Sequence, residues 1–232
     1  MNPAIPQTSL FLGIIPALIF LYLSLKGYEG LYKEKNIYLS FVIGIILGFF
    51  AALAQSFTES GVILYIILIV FFDQLIKTIA LNIGRLHEKK ETIIYGLCLG
   101  LGFGAIFTPV MLIAVSSLIT SDAVILALIA IASLGIILFH AATGAYIGYG
   151  VYKKKLTRSI LFAVLIQIPF NGILDLIIIY AKNKNQILTE TGLVAGLVIY
   201  GTLSFWYVIT KIMPQIRPNN ERRKRRRLLQ QK

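Results

Sequence analysis

Long apolar stretches alternate with short polar ones along the whole chain. A bilayer crossing takes about 20 predominantly apolar residues of helix. Seven stretches qualify, at about 8–25, 37–57, 61–84, 92–118, 123–151, 157–180 and 187–213. The pattern predicts an all-α protein, an integral membrane bundle of seven transmembrane helices over residues 1–214 with a basic tail at 215–232.

The polar stretches alternate in charge. Lys26, Lys33 and Lys35 follow the first span, Arg85, Lys89 and Lys90 the third, and Lys153, Lys154, Lys155 and Arg158 the fifth. The opposite side holds Glu59, then Asp122, then Lys182 and Lys184 with Glu190. Short Lys/Arg-rich loops stay cytoplasmic, which predicts an N-terminus outside and a C-terminus in the cytoplasm. Short loops with so strong a bias suit a plasma membrane.

Composition narrows the class. Apolar residues make up 57% of 232, charged residues 14%, and the mean hydropathy is +0.82. Water-facing domains carry about 25% charged residues, so one membrane domain with no separate soluble module is expected. The formal charge of +12 lies mostly on the predicted cytoplasmic side and reports orientation. The tail, Arg217 to Lys232, includes six consecutive basic residues from Arg222 to Arg227. Directly after a span, such an arm reads as a topology anchor drawn to anionic lipid headgroups rather than as a nucleic-acid site. Cys98, the single cysteine, excludes a disulfide within the chain and reads as a small buried apolar residue. Met1 to Ser9 carries no Lys or Arg, so it lacks the charged start of a signal peptide and the first span is expected to stay.

Two glycine rows bear on packing. Gly96, Gly100 and Gly104 recur every four residues in the fourth span, with Thr108 next, and Gly144 and Gly148 do the same in the fifth. Such ridges let membrane helices approach closely. They serve either packing within the bundle or docking onto another membrane protein.

Ionisable groups in hydrocarbon are costly and mark candidate functional sites. The third span carries Asp73, Gln74 and Lys77, with Asp73 and Lys77 one turn apart and able to pair. The fifth carries His140, and the sixth carries Gln167, Asn171 and Asp175 on one face. Asp73, His140 and Gln167 all lie 10–11 residues from their cytoplasmic ends, about 15–17 Å deep. They would form one buried polar centre, either a hydrogen-bond network fastening the bundle or a reaction centre. The other histidine, His87, falls in a loop, so His140 is the only candidate metal ligand of its type in the membrane.

The order of these features resembles the PrsW-type intramembrane proteases, a superfamily shared with the CAAX prenyl proteases and the anterior-pharynx-defective subunit of γ-secretase. The similarity runs from about Asp73 to Asp175, with a looser fit at Pro16, Tyr28 and Glu29. Where the family has Glu-Glu-x-x-Lys, this chain has Asp73-Gln74-Leu75-Ile76-Lys77. Where it has Phe-x-x-x-Glu after a Gly-rich stretch, this chain ends Phe103-Gly104-Ala105-Ile106-Phe107. The histidine motif is kept from His140 to Gly150, and the fourth motif, His-x-x-x-Asp/Asn, reads Gln167-Ile168-Pro169-Phe170-Asn171.

Hydrolysis within a membrane needs a carboxylate to activate water, and a zinc site normally needs three protein ligands. Phe107 takes no proton, and Gln167 does not bind zinc as imidazole does. The resemblance therefore implies a catalytically degenerate membrane scaffold or adaptor, with no cofactor and with a membrane-protein partner. The γ-secretase subunit is such a scaffold, and it shares the seven helices, the outside N-terminus and the glycine ridge. One alternative is a divergent intramembrane metalloprotease cleaving membrane proteins, with Asp73 and His140 catalytic and zinc bound. A second is a small proton-coupled transporter, against which stand the odd span number and the lack of an internal repeat.

Overall fold

A computed structural model describes residues 4–58, 61–84, 86, 89–114, 123–181 and 187–217. The loop residues Glu59, Arg85, His87, Asp122, Lys182 and Lys184, and the tail from 218 onward, lie outside the described residues.

Backbone N–H and C=O groups in hydrocarbon must be paired within their own segment, which leaves the helix as the local solution. The described residues form helices joined by short turns, without strands. The helices are α1 (Ala4–Leu25), α2 (Glu34–Ser56), α3 (Ile63–Leu81), α4 (Thr92–Ala114), α5 (Ala123–Tyr152), α6 (Leu156–Ala181) and α7 (Ile187–Tyr207). A π-helical turn, Val208–Ile212, and a 3₁₀ turn, Met213–Ile216, continue α7. From α2 to α7, six helices are long and apolar enough to cross a membrane, and this is a polytopic membrane protein. The apolar stretch Leu10–Leu25 of α1 is shorter.

The bundle is built around α4. Its apolar window is 83% buried, against 22–44% for the other five long helices. Glycine makes this wrapping close. On one side, Gly96 and Gly100 lie against the backbone carbonyls of Gly144 and His140 in α5, and Gly104 faces the Cα of Ile137. Gly144 and Gly148 return the contact to the carbonyls of Gly96 and Thr92. On the other side, Gly44 and Gly48 of α2 meet the carbonyls of Leu99 and Phe103, while Gly102 meets that of Phe41. A Cβ at any of these positions would run into backbone. The expected ridge of Gly96, Gly100 and Gly104 is thus covered by α5. This corrects the reading of that ridge as a face for a second protein, because α5 presents a matching row that fills it.

Prolines set further contacts. Pro16 in α1 and Pro109 in α4 have no N–H, so each releases the carbonyl four residues earlier. The hydroxyl of Ser133 in α5 donates to the released Leu12 carbonyl at 3.2 Å. Gly13 backs directly onto the released Ala105 carbonyl, which seats α1 on α4.

At the basic end, Gly27 (φ +83°) and Gly30 (φ +77°) turn the chain from α1 into α2. The Arg217 guanidinium donates to the Gly27 carbonyl at 3.2 Å and stacks over Tyr28. The backbone N–H of Lys33, at the start of α2, donates to the Tyr95 hydroxyl at 3.2 Å, and that hydroxyl donates to Glu91 at 2.8 Å. Glu29 lies exposed in this turn, far from the bundle interior. Hydrogen bonds from the backbone N–H groups of Gly27 and Glu29 hold its carboxyl below the usual range.

Candidate functional site: a buried polar centre between α3, α5 and α6

One face of α3 turns Asp73, Gln74, Lys77 and Thr78 inward, and all four are buried. Across from them stand His140 and Thr143 of α5 and Gln167 of α6, also buried. Buried polar groups need partners, and these find them in two branches.

The first branch joins α3 to α6. Gln167 donates through Nε2 to Asp73 Oδ2 at 2.7 Å, while its Oε1 accepts from Gln74 Nε2. One amide thus answers two neighbours with its donor and its acceptor. Thr78 donates back to the Gln74 carbonyl at 2.7 Å and stays within α3. Asp73 Oδ1 and Gln74 Oε1 are buried without a partner.

The second branch joins α3 to α5. Lys77 Nζ lies 2.8 Å from His140 Nδ1 and 3.3 Å from Thr143 Oγ1. With Lys77 as an ammonium, which only donates, Nδ1 accepts and the ring proton lies on Nε2. Thr143 donates to the His140 carbonyl at 3.1 Å. Phe103 covers the ammonium, with Nζ 4.3 Å from its ring centroid. The rings of Phe103, Phe107 and Phe139 lie 4.7, 5.6 and 5.9 Å from the imidazole, centroid to centroid. The centre is therefore a polar knot inside an aromatic shell.

One expectation needs correcting, and another gains detail. Lys77 directs its hydrogen bonds to His140 and Thr143, while Asp73, one turn away on its own helix, interacts with it through charge. The imidazole, the hydroxyl and the Phe103 face together give the cation three partners at its own level, and Gln167 supplies Asp73. Asp175 is not part of the centre. Half-buried two turns along α6, its carboxylate accepts the Gly61 N–H at 2.7 Å, where Gly61 (φ +89°) turns the chain into α3. Asn171 is buried one turn from Gln167, on the same face, without a hydrogen bond to either branch.

Thr143 is the functional neighbour that sequence reasoning missed. It lies within the histidine motif, three residues after His140 and so on the same face of α5, which was the available signal.

Zinc sets a stricter demand: three protein ligands with open lone pairs. Nδ1 of His140 accepts from a cation, and Gln167 offers an amide already engaged on both sides. Among the described residues no three of His, Cys, Asp and Glu converge. The residues do not fit a zinc ion. They do fit a fastening role, tying α3 to α5 and α6 through four side-chain hydrogen bonds.

Compared with known proteins, the chain matches no family model, no curated protein and no solved structure.

Proposed function

We propose that this protein is a catalytically degenerate relative of the PrsW-type intramembrane proteases that acts as a membrane scaffold or adaptor. In this reading α1 also crosses the membrane, the N-terminus lies outside, the C-terminus lies in the cytoplasm, and the protein resides in the plasma membrane. Lys26, Lys33, Lys35, Lys89, Lys90, Lys153, Lys154, Lys155 and Arg158 on one end of the bundle support that orientation.

The observation that carries the proposal is the contact of Lys77 Nζ with His140 Nδ1 at 2.8 Å. A general base or metal ligand acts through an open ring nitrogen. Here the nitrogen facing the centre is capped by a cation, and the glutamine in place of the fourth-motif histidine is used as a bridge. The partner, a membrane protein, docks on the outer faces of the bundle, because the glycine ridge is already filled.

Purification from native membranes in a mild detergent, with mass spectrometry of stoichiometric companions, tests the proposal. It expects a membrane protein to come through with this chain. It also expects no cleavage of membrane peptides by the pure protein. Cleavage that disappears in His140→Ala would overturn it.

One observation favours a second reading, a divergent protease with Asp73 as base: Asp73 Oδ1 has no partner in the centre. That reading expects Asp73→Asn and His140→Ala to abolish cleavage while leaving the amount of folded protein unchanged. Loss of folded protein in both variants speaks for the fastening role.

A further inference from the structure

A second feature lies on the opposite side of α5 from α4, facing outward between α6 and α7. A groove of about 270 Å³ runs there, floored by Ala142 and Tyr146 of α5. Phe162 and Ile166 of α6 form one wall, and Leu203 and Tyr207 of α7 form the other. Its lining is almost wholly apolar, and Phe162, Leu203 and Tyr207 are exposed. A groove open to hydrocarbon holds hydrocarbon; charge decides whether it selects a particular lipid.

The charge is at the basic end. Arg158 stands one turn before Phe162 on the same face of α6 and acts electrostatically on Tyr146. Lys211 follows Tyr207 by about one turn, within the π-helical turn that ends the groove. Both cations are exposed, and among the described residues neither is matched by a carboxylate. The groove lining itself includes the rings of Tyr146 and Tyr207, a side-chain type that settles at a headgroup boundary. From Arg158 to Ile166 is eight residues, about 12 Å of helix, which suits the first part of an acyl chain beneath its phosphate.

We propose that this groove is a binding site for one anionic phospholipid. Arg158 and Lys211 hold its phosphate, and an acyl chain lies on Ala142 between Phe162 and Leu203. The site depends on no particular reading of the polar centre.

The test uses the full-length protein, delipidated in detergent and titrated with phosphatidylglycerol or with phosphatidylcholine of the same chains. Native mass spectrometry counts the bound lipid, and melting temperature reports its effect. Phosphatidylglycerol is expected to bind about tenfold to thirtyfold tighter, the scale set by two basic residues at a surface. The pair Arg158→Gln and Lys211→Gln should bring it down to the phosphatidylcholine level. Leu203→Trp, which fills the groove and leaves every charge in place, should weaken both lipids. Glycerol phosphate, the headgroup without chains, should not raise the melting temperature. The control pair Lys89→Gln and Lys90→Gln, at the same end of the bundle but away from the groove, should behave as the unaltered protein. Equal binding of the two lipids overturns the proposal. So does an equal loss in the control pair, or full phosphatidylglycerol binding in Leu203→Trp, either of which assigns the effect to diffuse charge or to the tail.

Discussion

The ammonium of Lys77 lies 2.8 Å from Nδ1 of His140, joining helices whose residues are 63 positions apart in sequence. With Lys77 charged, the contact sets the tautomer of His140 and fixes α3, otherwise a peripheral helix, against α5. It also explains why a lysine is tolerated at a fully buried position: the cation is enclosed by an imidazole, a hydroxyl and the face of Phe103.

Removing the cation should therefore loosen α3. In a double-mutant cycle of Lys77→Met and His140→Ala, followed by denaturant unfolding in mixed micelles, the coupling energy is expected at about 0.5–2 kcal/mol, the scale of hydrogen bonds between membrane helices. A coupling near zero would mean that the two side chains stabilise the fold independently.

Asp73 and Gln167 separate charge from hydrogen bonding. Asp73→Asn keeps a carbonyl oxygen for Gln167 Nε2, and stability should change by less than about 1 kcal/mol. Asp73→Leu leaves that donor buried and unpaired at a cost of about 1–3 kcal/mol. Melting temperatures of the two variants side by side check this. Equal losses would show that the charge, rather than the acceptor, is what the site requires.

Gly100 and Gly172 form a matched pair of tests for the helix interface. A side chain at Gly100 meets the backbone of α5 at His140, so Gly100→Val should drive α4 and α5 apart. Overpacking of this kind costs about 1–3 kcal/mol or more. Nothing lies within 4 Å of the corresponding position at Gly172, and Gly172→Ala should be neutral or should stabilise α6 by up to about 1 kcal/mol. Yield of monodisperse protein and thermal melting distinguish them.

Tyr95 acts as a clasp at the basic end. Lys33 precedes α2 without a side-chain cap of its own, and its backbone N–H is answered by the Tyr95 hydroxyl. Tyr95→Phe should cost about 1 kcal/mol. It should also raise the hydrogen exchange of the first turn of α2 while leaving that of α5 unchanged.

Helix positions were legible because one-dimensional hydropathy carries them: the expected span at 157–180 became Leu156–Ala181, and that at 123–151 became Ala123–Tyr152. The candidate polar residues were found for the same reason, each interrupting an apolar run. What the chain did not disclose is which face meets which. The spacing of Gly96, Gly100 and Gly104 defines a ridge, but only the rotation of α5 shows that Gly144 and His140 close it. Gly44 and Gly48 carry the same spacing in α2 and pack on the other side of α4, a row the sequence held equally openly. Asp175 shares a periodicity with Gln167 and Asn171, yet its partner is a turn glycine 114 residues away. Lys77 chose among several acceptors by their positions in three dimensions, which periodicity on its own helix does not encode.

The enclosure of α4 has a bearing on how the protein is made. The chain is synthesised from its N-terminus, so α1 and α2 have been made when α4 arrives, whereas α5, which supplies its other wall, is synthesised afterwards. Until then the strip along Gly96, Gly100 and Gly104 faces lipid and gives acyl chains little to pack against. A nascent chain halted before α5 thus carries an open seam, and the arrival of α5 is the step that commits the bundle to its final form.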